Sequence, residues 1–448
     1  MPKKKTALTI EERLQQALVP AEEQPYEVPE NWVWVRLGAI AEIVTGGTPS
    51  KKHPEYYGGN FPFYKPSDLD QGRLTYDASE YLSEEGKNVS RIIPKNSTAV
   101  CCIGSIGKCG YLMCEGTTNQ QINSAIPKIN SLCLYYYLCT ENFVQDLLSM
   151  ASATTIAIVN KSKMESCAFP LPPLSEQQRI VERIEELFAK LDEAKERLQE
   201  VADSFAVRKA AILHNAFTGE LTKQWRRENG VSDESWEESN FGKFTVSQYG
   251  YTEKAHWEKV GPKFLRITDI QDNKVDWDEV PWCPIDEAGM KQYAVQIGDI
   301  MIARTGATTG KSYLICDDVE AVFASFLIRL KVVDKNLDYN YLYGYMQSED
   351  YWRQITDFSS GIAQPGVNAN KLKQIKFKCP SLSEQHEIVR LIDDLLARER
   401  AAQQAAEQAL ASIDLMKKSI LARAFRGELG TNKASEASAL ELLRQVLS

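Results

Sequence analysis

No run in this sequence approaches the roughly twenty apolar residues that a membrane span requires. The opening MPKKKTALTIEERLQQALVP also lacks the apolar core and cleavage site of an export signal. A cytoplasmic protein with no membrane contact is the expectation. Histidine is scarce: His53, His214, His256 and His386 are the only four, and two of them fall in helical stretches, where packing or solvent is the usual fate. There is no nucleophile elbow, no HExxH helix and no Asp/Asn-Pro-Pro-aromatic motif of an amino-methyltransferase. Paired carboxylates such as Glu185-Glu186 lie on helix faces as solvated charge. The ten cysteines include no CxxC pair, and they read as free thiols rather than a metal centre or disulfide frame. Basic excess is missing as well. A net charge of −9 neither demands nor forbids nucleic acid, because phosphate binding depends on where cations cluster. A chain this long without catalytic machinery is built to hold or to recognise.

What is present is a repeat. Residues 174–222, LSEQQRIVERIEELFAKLDEAKERLQEVADSFAVRKAAILHNAFTGELT, recur at 382–430 as LSEQHEIVRLIDDLLARERAAQQAAEQALASIDLMKKSILARAFRGELG, at a constant offset of 208. In the first copy Ile180, Ile184, Leu187, Leu191, Ala194, Leu198, Val201 and Phe205 alternate spacings of four and three, the seam of a coiled coil. The second copy keeps the phase with Ile388, Ile392, Leu395, Glu399, Ala402, Ala406, Ala409 and Ile413, and its small residues face the larger ones of the first, so each copy fits the other as partner. Glu399 is costly in such a seam unless its carboxylate reaches water. Pro172-Pro173 cannot continue a helix, Ser175 with Gln178 reads as a capping box, and Gly219 and Gly427 stand where helix ends favour glycine. A single helix from Ser175 to Phe217 is roughly 65 Å long at about 1.5 Å per residue. It is a strut of fixed length.

The rest of the chain alternates with these struts. Residues 1–29 form a short amphipathic helix and a proline-rich connector. Residues 30–172 carry short β-leaning runs broken by glycine and proline, with a tyrosine-rich helix over 132–150, and read as a mixed globule with a curled sheet. The first strut, 173–222, follows. Residues 223–239 are a polar, acidic linker, and 240–378 repeat the pattern of the first globule. The second strut, 379–430, precedes a C-terminal tail helix over 431–448. FPFYKPSDLDQGRL at 61–74 corresponds to PKFLRITDIQDNKV at 262–275, which sets Lys65 against Arg266. The unit of globule and strut is therefore duplicated.

The glycine turn Thr305-Gly-Ala-Thr-Thr-Gly-Lys-Ser312 nearly spells a phosphate-binding P-loop, but three residues rather than four separate its glycines, and a β-like stretch follows instead of a helix. Nucleotide binding is rejected. As a turn presenting Arg304, Thr305, Thr308, Thr309 and Lys311, and Ser105 and Lys108 in the equivalent Gly104–Lys108 loop, it suits phosphate of any kind. A plain hairpin turn accounts for it equally well. Asn119, Gln120, Gln121 and Asn123 offer the paired donor and acceptor that read adenine edges, with a capped turn as the alternative. Lys51, Lys52 and Gln364 occupy similar polar loops.

Two variable heads alternating with two like helices, each introduced by LPPLSEQ or CPSLSEQ and closed by AFTGEL or AFRGEL, resemble the specificity (S) subunit of type I restriction–modification enzymes over about residues 30–430. The resemblance implies an α+β architecture with internal pseudo-two-fold duplication. Two mixed α/β target recognition domains are separated by two long helices that form an antiparallel coiled coil. It implies that each head reads one half of a bipartite, asymmetric site in double-stranded DNA. The helices dock two methyltransferase (M) subunits, which bind S-adenosylmethionine, and restriction (R) subunits using ATP and Mg can join. The chain itself then binds no cofactor or metal and is not an enzyme. The DNA-contacting candidates are the lysines, amides, threonines and arginines named above, Lys65 and Arg266 included. The competing readings are a coiled-coil adaptor with protein-binding heads and an orphan DNA-binding subunit; an ATPase built on residues 305–312 is the weakest.

Overall fold

The computed structural model describes residues 9–151, 157–271, 273–359 and 366–448. It divides into two compact units, Met1–Leu198 with Gln408–Ser448, and Gln199–Glu407. Each unit holds one head together with part of both struts. No helix among the described residues is long and apolar enough to cross a membrane.

Both heads are built on one plan. In the first, an antiparallel sheet runs in the order Ala41–Thr45, Ile122–Pro127, Thr98–Cys101, Cys109–Tyr111; in the second, Thr245–Tyr249, Leu327–Val332, Ile300–Ala303, Ser312–Leu314. The strands Thr98–Cys101 and Ile300–Ala303 are buried along their whole length, which is why TAVC and IMIA read as apolar runs rather than alternating ones. Beside each sheet lies a parallel pairing, Phe63 and Tyr64 with Thr117 and Thr118, and Lys263–Leu265 with Ala321–Phe323. A two-stranded ribbon ties the start of each head to its end: Val33–Arg36 with Ala168–Leu171, and Glu237–Asn240 with Lys376–Cys379. The expected helix over 132–150 is two helices, Ser131–Leu138 and Glu141–Ser149, because Thr140 accepts a bond from the Phe143 amide and starts a new one.

Within each unit the struts are antiparallel. In the first, residues 176 and 192 meet residues 431 and 417 respectively; in the second, residues 208 and 222 meet 399 and 384. Near the heads the stripe is wider than a coiled-coil seam. Gln177, Ile180, Val181 and Ile184 are all buried in the first head's core beside Leu421, Ala424 and Phe425, and Ile388 and Ile392 join the second head's core beside Leu213, Ala216 and Phe217. Leu187, Leu191, Leu198, Phe205 and Leu395 are half-buried, Ala406 and Ile413 buried. Val201 departs from the expected seam and is 43% exposed. The first strut is not one helix but Leu174–Asp203 followed by Phe205–Thr218. At the break the Ser204 hydroxyl donates to the Val201 carbonyl at 2.9 Å, a competitor for the backbone ladder that distorts a helix. Glu399 is answered within its unit by Arg208 at 2.7 Å.

The repeated LSEQ and GEL segments prove to be two halves of a clamp. The capping box expected from Ser175 and Gln178 is absent, since the helix already begins at Leu174 and the Gln178 side chain bonds Asn130 and Glu182. The buried residues are the next two. Glu176 accepts from Trp32 Nε1 at 2.7 Å, Thr431 Oγ1 at 3.2 Å and Asn432 Nδ2 at 2.8 Å. Glu384 accepts from Thr222 Oγ1 at 2.7 Å, Arg226 Nη1 at 2.7 Å and Trp236 Nε1 at 3.0 Å. Gln177 and Gln385 each donate to the carbonyl of a preceding proline, Pro172 and Pro380, and each accepts a head backbone amide. The start of one strut is thus locked to the end of the other. Residues 223–239 are consequently no loose linker: Lys223–Glu228 is helical, and Arg226 is buried against Glu384.

Candidate nucleic-acid interface

At one end of each four-stranded sheet four loops are stitched together by the same backbone bonds. In the first head Gly46 N donates to Ile122 O at 3.0 Å, Cys102 N to Gln121 O at 2.7 Å and Val159 N to Cys102 O at 2.9 Å. In the second, Gly250 N donates to Leu327 O at 3.2 Å, Arg304 N to Phe326 O at 3.1 Å and Val367 N to Arg304 O at 2.9 Å. Glycine is required where the first loop presses on the third. A Cβ on Gly46 would lie 2.2 Å from the Asn119 carbonyl oxygen, and one on Gly250 2.3 Å from that of Ala324. The scaffold is common to both heads, and the side chains that it presents are not. Thr45 pairs with Asn123 where Tyr249 pairs with Ile328, so Gln120 and Gln121 occupy the places of Ser325 and Phe326.

The sequence candidates separate on this scaffold. Asn119 is buried and closes its own turn, accepting from the Gln121 amide at 3.0 Å and donating to its side chain at 3.0 Å. Asn123 is buried on the sheet, accepting from Thr45 Oγ1 at 2.7 Å; facing a neighbouring strand, it offers nothing to a ligand. Thr309 is buried too, with its hydroxyl donated to Gly306 O at 2.7 Å. Lys65 is held by Glu80 at 2.8 Å, Lys108 by Asp70 at 2.7 Å and Arg266 by Asp269 at 2.6 Å, so their charge is already matched inside the head. Gln364 lies outside the described residues. What remains in the first head is exposed Gln120, half-buried Gln121, and exposed Lys51, Lys52 and Ser105. In the second head Arg304, Thr305 and Thr308 are half-buried and Lys311 is exposed. Among the described residues no carboxylate lies within ion-pair distance of Lys51, Lys52, Arg304 or Lys311, in contrast to the three paired cations.

The turn at 305–312 is the tight end of a hairpin that continues into the strand Ser312–Leu314. Gly306 and Gly310 have φ of +80° and +89°, and a Cβ on Gly310 would sit 2.7 Å from Ile355 Cγ2. The glycines serve the turn and its packing rather than a phosphate cradle.

Three residues of this end escaped sequence reasoning. Arg91 is exposed and donates to the Thr45 carbonyl. Tyr249 is 40% exposed and carries the Arg304 guanidinium 4.9 Å from its ring centre. Phe326 is 60% exposed. Only the ladder register brings Tyr249 and Phe326 next to Arg304, so no local pattern could have found them. Exposed aromatics beside Arg304, a cation with no ion pair among the described residues, suit bases and phosphates together. No thiol chemistry is poised there, since burial pushes the Cys102 thiol up to about 11. All ten cysteines are free, and among the described residues no group of His, Cys, Asp and Glu is placed to hold a metal ion.

Comparison with known proteins matches this doubled arrangement. The model of the family described as "Type I restriction modification DNA specificity domain" fits residues 29–203 and again 235–409. The chain belongs to this family. Among curated relatives, the EcoBI type I restriction enzyme specificity subunit of Escherichia coli is 26% identical over 90% of this chain and 87% of its own length. The EcoKI specificity subunit of Escherichia coli strain K12 is 24% identical over 90% of each chain. A crystal structure of an HsdS subunit from Thermoanaerobacter tengcongensis shares the fold at a TM-score of 0.66 and 18% identity, covering 91% of this chain and 99% of that one. The two family segments each run from the start of a head into its strut, so the duplicated unit of the family is globule plus helix.

Proposed function

We propose that this chain is the DNA-recognition subunit of a type I restriction–modification complex, non-catalytic in itself, with each head reading one half of a bipartite, asymmetric target. The observation that carries this is the pair of loop clusters: one backbone scaffold displaying Thr45, Gln120 and Gln121 in one head and Tyr249, Ser325 and Phe326 in the other. A shared scaffold docks both heads on duplex DNA in the same way, and different side chains give different half-sites. The cations Lys51, Lys52, Arg91, Arg304 and Lys311, which form no ion pair among the described residues, supply phosphate contact despite the net charge of −9. The struts hold two methyltransferase subunits, which bring S-adenosylmethionine, and restriction subunits bring ATP and Mg. The complex works in the cytoplasm, where its DNA is.

Exchanging residues 240–378 for those of a relative alters one half-site only, as mapped by sequencing methylated sites; a change in both halves refutes the assignment. Finer substitutions divide the roles. Lys311→Ala weakens binding evenly across sequences and reduces the slope of log affinity against log salt by about 1, whereas Gln121→Ala costs about 1–3 kcal/mol and relaxes the requirement at one base pair. Fluorescence anisotropy with half-site variants distinguishes the two.

A further inference from the structure

The first unit covers one of its own surfaces with its N-terminal segment, and the second unit leaves the equivalent surface open. In the first unit Leu18 bridges Val35, and Val19 N donates to Trp34 O at 3.0 Å, which extends the outer edge of the strand Val33–Arg36. The segment then lays Tyr26 on the ribbon. The Tyr26 ring meets that of Trp34 edge-on at 4.9 Å, its carbonyl accepts from Trp34 Nε1 at 3.1 Å, and the Arg426 guanidinium stands 5.4 Å from its ring centre. Behind it stand Tyr137, whose hydroxyl donates to Ala168 O at 2.8 Å, and Phe425, 5.1 Å from Tyr137.

Each of these neighbours has a counterpart in the second unit. The ribbon register puts Glu238 at the place of Trp34, Lys376 at that of Ala168 and Lys378 at that of Pro170. Tyr345 donates to Lys376 O at 2.7 Å as Tyr137 does to Ala168, and Phe217 lies 5.5 Å from Tyr345. Where Tyr26 lies in the first unit there is here a cavity of about 670 Å³, floored by Leu213, Phe217, Tyr345 and Phe377 and rimmed by Thr218 and Glu238. Among the described residues no ladder forms on the outer edge of Glu237–Asn240.

The connectivity explains the difference. In the first unit the C-terminal residues Thr431 and Asn432 complete the clamp on Glu176, which leaves the N-terminal segment to cover the ribbon. In the second unit a single connection, 223–236, supplies Arg226 and Trp236 to Glu384 and runs straight into the ribbon. Among the described residues no segment pairs with the outer edge of that ribbon.

We propose that this groove takes an extended segment of a partner polypeptide, laid along the strand Glu237–Asn240 with an aromatic side chain in the cavity, as residues 18–29 lie on the first unit. Strand addition supplies backbone bonds, and the pocket supplies the anchor. The rim carries both signs, Glu238 and Glu349 against Lys376 and Lys378, so the aromatic anchor rather than charge selects the ligand.

The probe is a fluorescent peptide of residues 18–29, LVPAEEQPYEVP, titrated onto the full-length protein and read by anisotropy. Saturable binding is expected, about thirtyfold weaker when the peptide's tyrosine is replaced by alanine, the loss typical of a buried aromatic anchor. Thr218→Trp, which fills the cavity from its rim, abolishes binding, while Arg426→Trp at the equivalent place in the first unit leaves it unchanged. Matching circular dichroism melts establish that the variants fold, and the comparison of the two peptides on the unaltered protein needs no variant. Absence of saturation up to about 1 mM, indifference to the tyrosine, or binding that survives Thr218→Trp overturns the proposal. Concentration-dependent dimerisation that Thr218→Trp removes, without peptide binding, assigns the groove to a second copy and overturns it equally.

Discussion

Replacing Arg226 by methionine destabilises the second unit by about 3–5 kcal/mol, because it strands the Glu384 carboxylate inside the protein. Glu384 is fully buried, the Arg226 side chain is 6% exposed, and the two meet at 2.7 Å. The other donors to Glu384, the Thr222 hydroxyl and the Trp236 indole, are neutral and both reach the same oxygen, Oε1, as the arginine. Arg226 also donates to the Gly219 carbonyl at 2.8 Å, so its loss loosens the end of the first strut as well. The pair variant Arg226→Met with Glu384→Gln recovers most of the loss, because removing both charges removes the uncompensated one. Urea unfolding followed through tryptophan fluorescence measures both. A single variant within about 1 kcal/mol of the parent would show that the clamp carries little. The first clamp is expected to be gentler to break: Trp32, Thr431 and Asn432 are all neutral, so Asn432→Ala removes one bond to a charged group, worth about 1.5–3 kcal/mol.

Inserting four residues near Ala194 in the first strut alone abolishes specific DNA binding, whereas inserting a heptad in both struts preserves it and lengthens the spacer of the target. Each strut is held at both ends, at its start by Glu176 or Glu384 and at its end through Thr222 or Thr431. One helix cannot lengthen without breaking a clamp or sliding the Asp192–Lys417 and Arg208–Glu399 pairs out of register. Seven residues in both keep the apolar phase and add roughly 10 Å at about 1.5 Å per residue, close to three base pairs at about 3.4 Å each. Methylation mapping of the variants reads the spacer directly. If the paired insertion leaves the spacer unchanged, the struts do not set the distance.

The amino-acid sequence alone was enough to show the duplication, the two heads and the apolar phase of the struts, since an offset of 208 and a spacing of four and three are properties of the string. It also showed that the 305–312 turn is no P-loop, because a β-like run follows it. Tertiary structure decided the rest. Glu176 and Glu384 look like any helix-surface acid until the end of the opposite strut, more than 150 residues away in sequence, surrounds them with donors. Asn119 and Asn123 look like base readers, but the first is taken up by its own turn and the second by the sheet, since a buried amide must find its partners inside the fold. Lys65, Lys108 and Arg266 read as free cations until folding brings Glu80, Asp70 and Asp269 to them. Val201 sits in the heptad and yet is 43% exposed, close to the place where the first strut breaks at Ser204. Periodicity is a local property and survives in the string. Which polar groups are matched within the fold, and which stay free to meet a ligand, depends on neighbours that only the folded chain supplies.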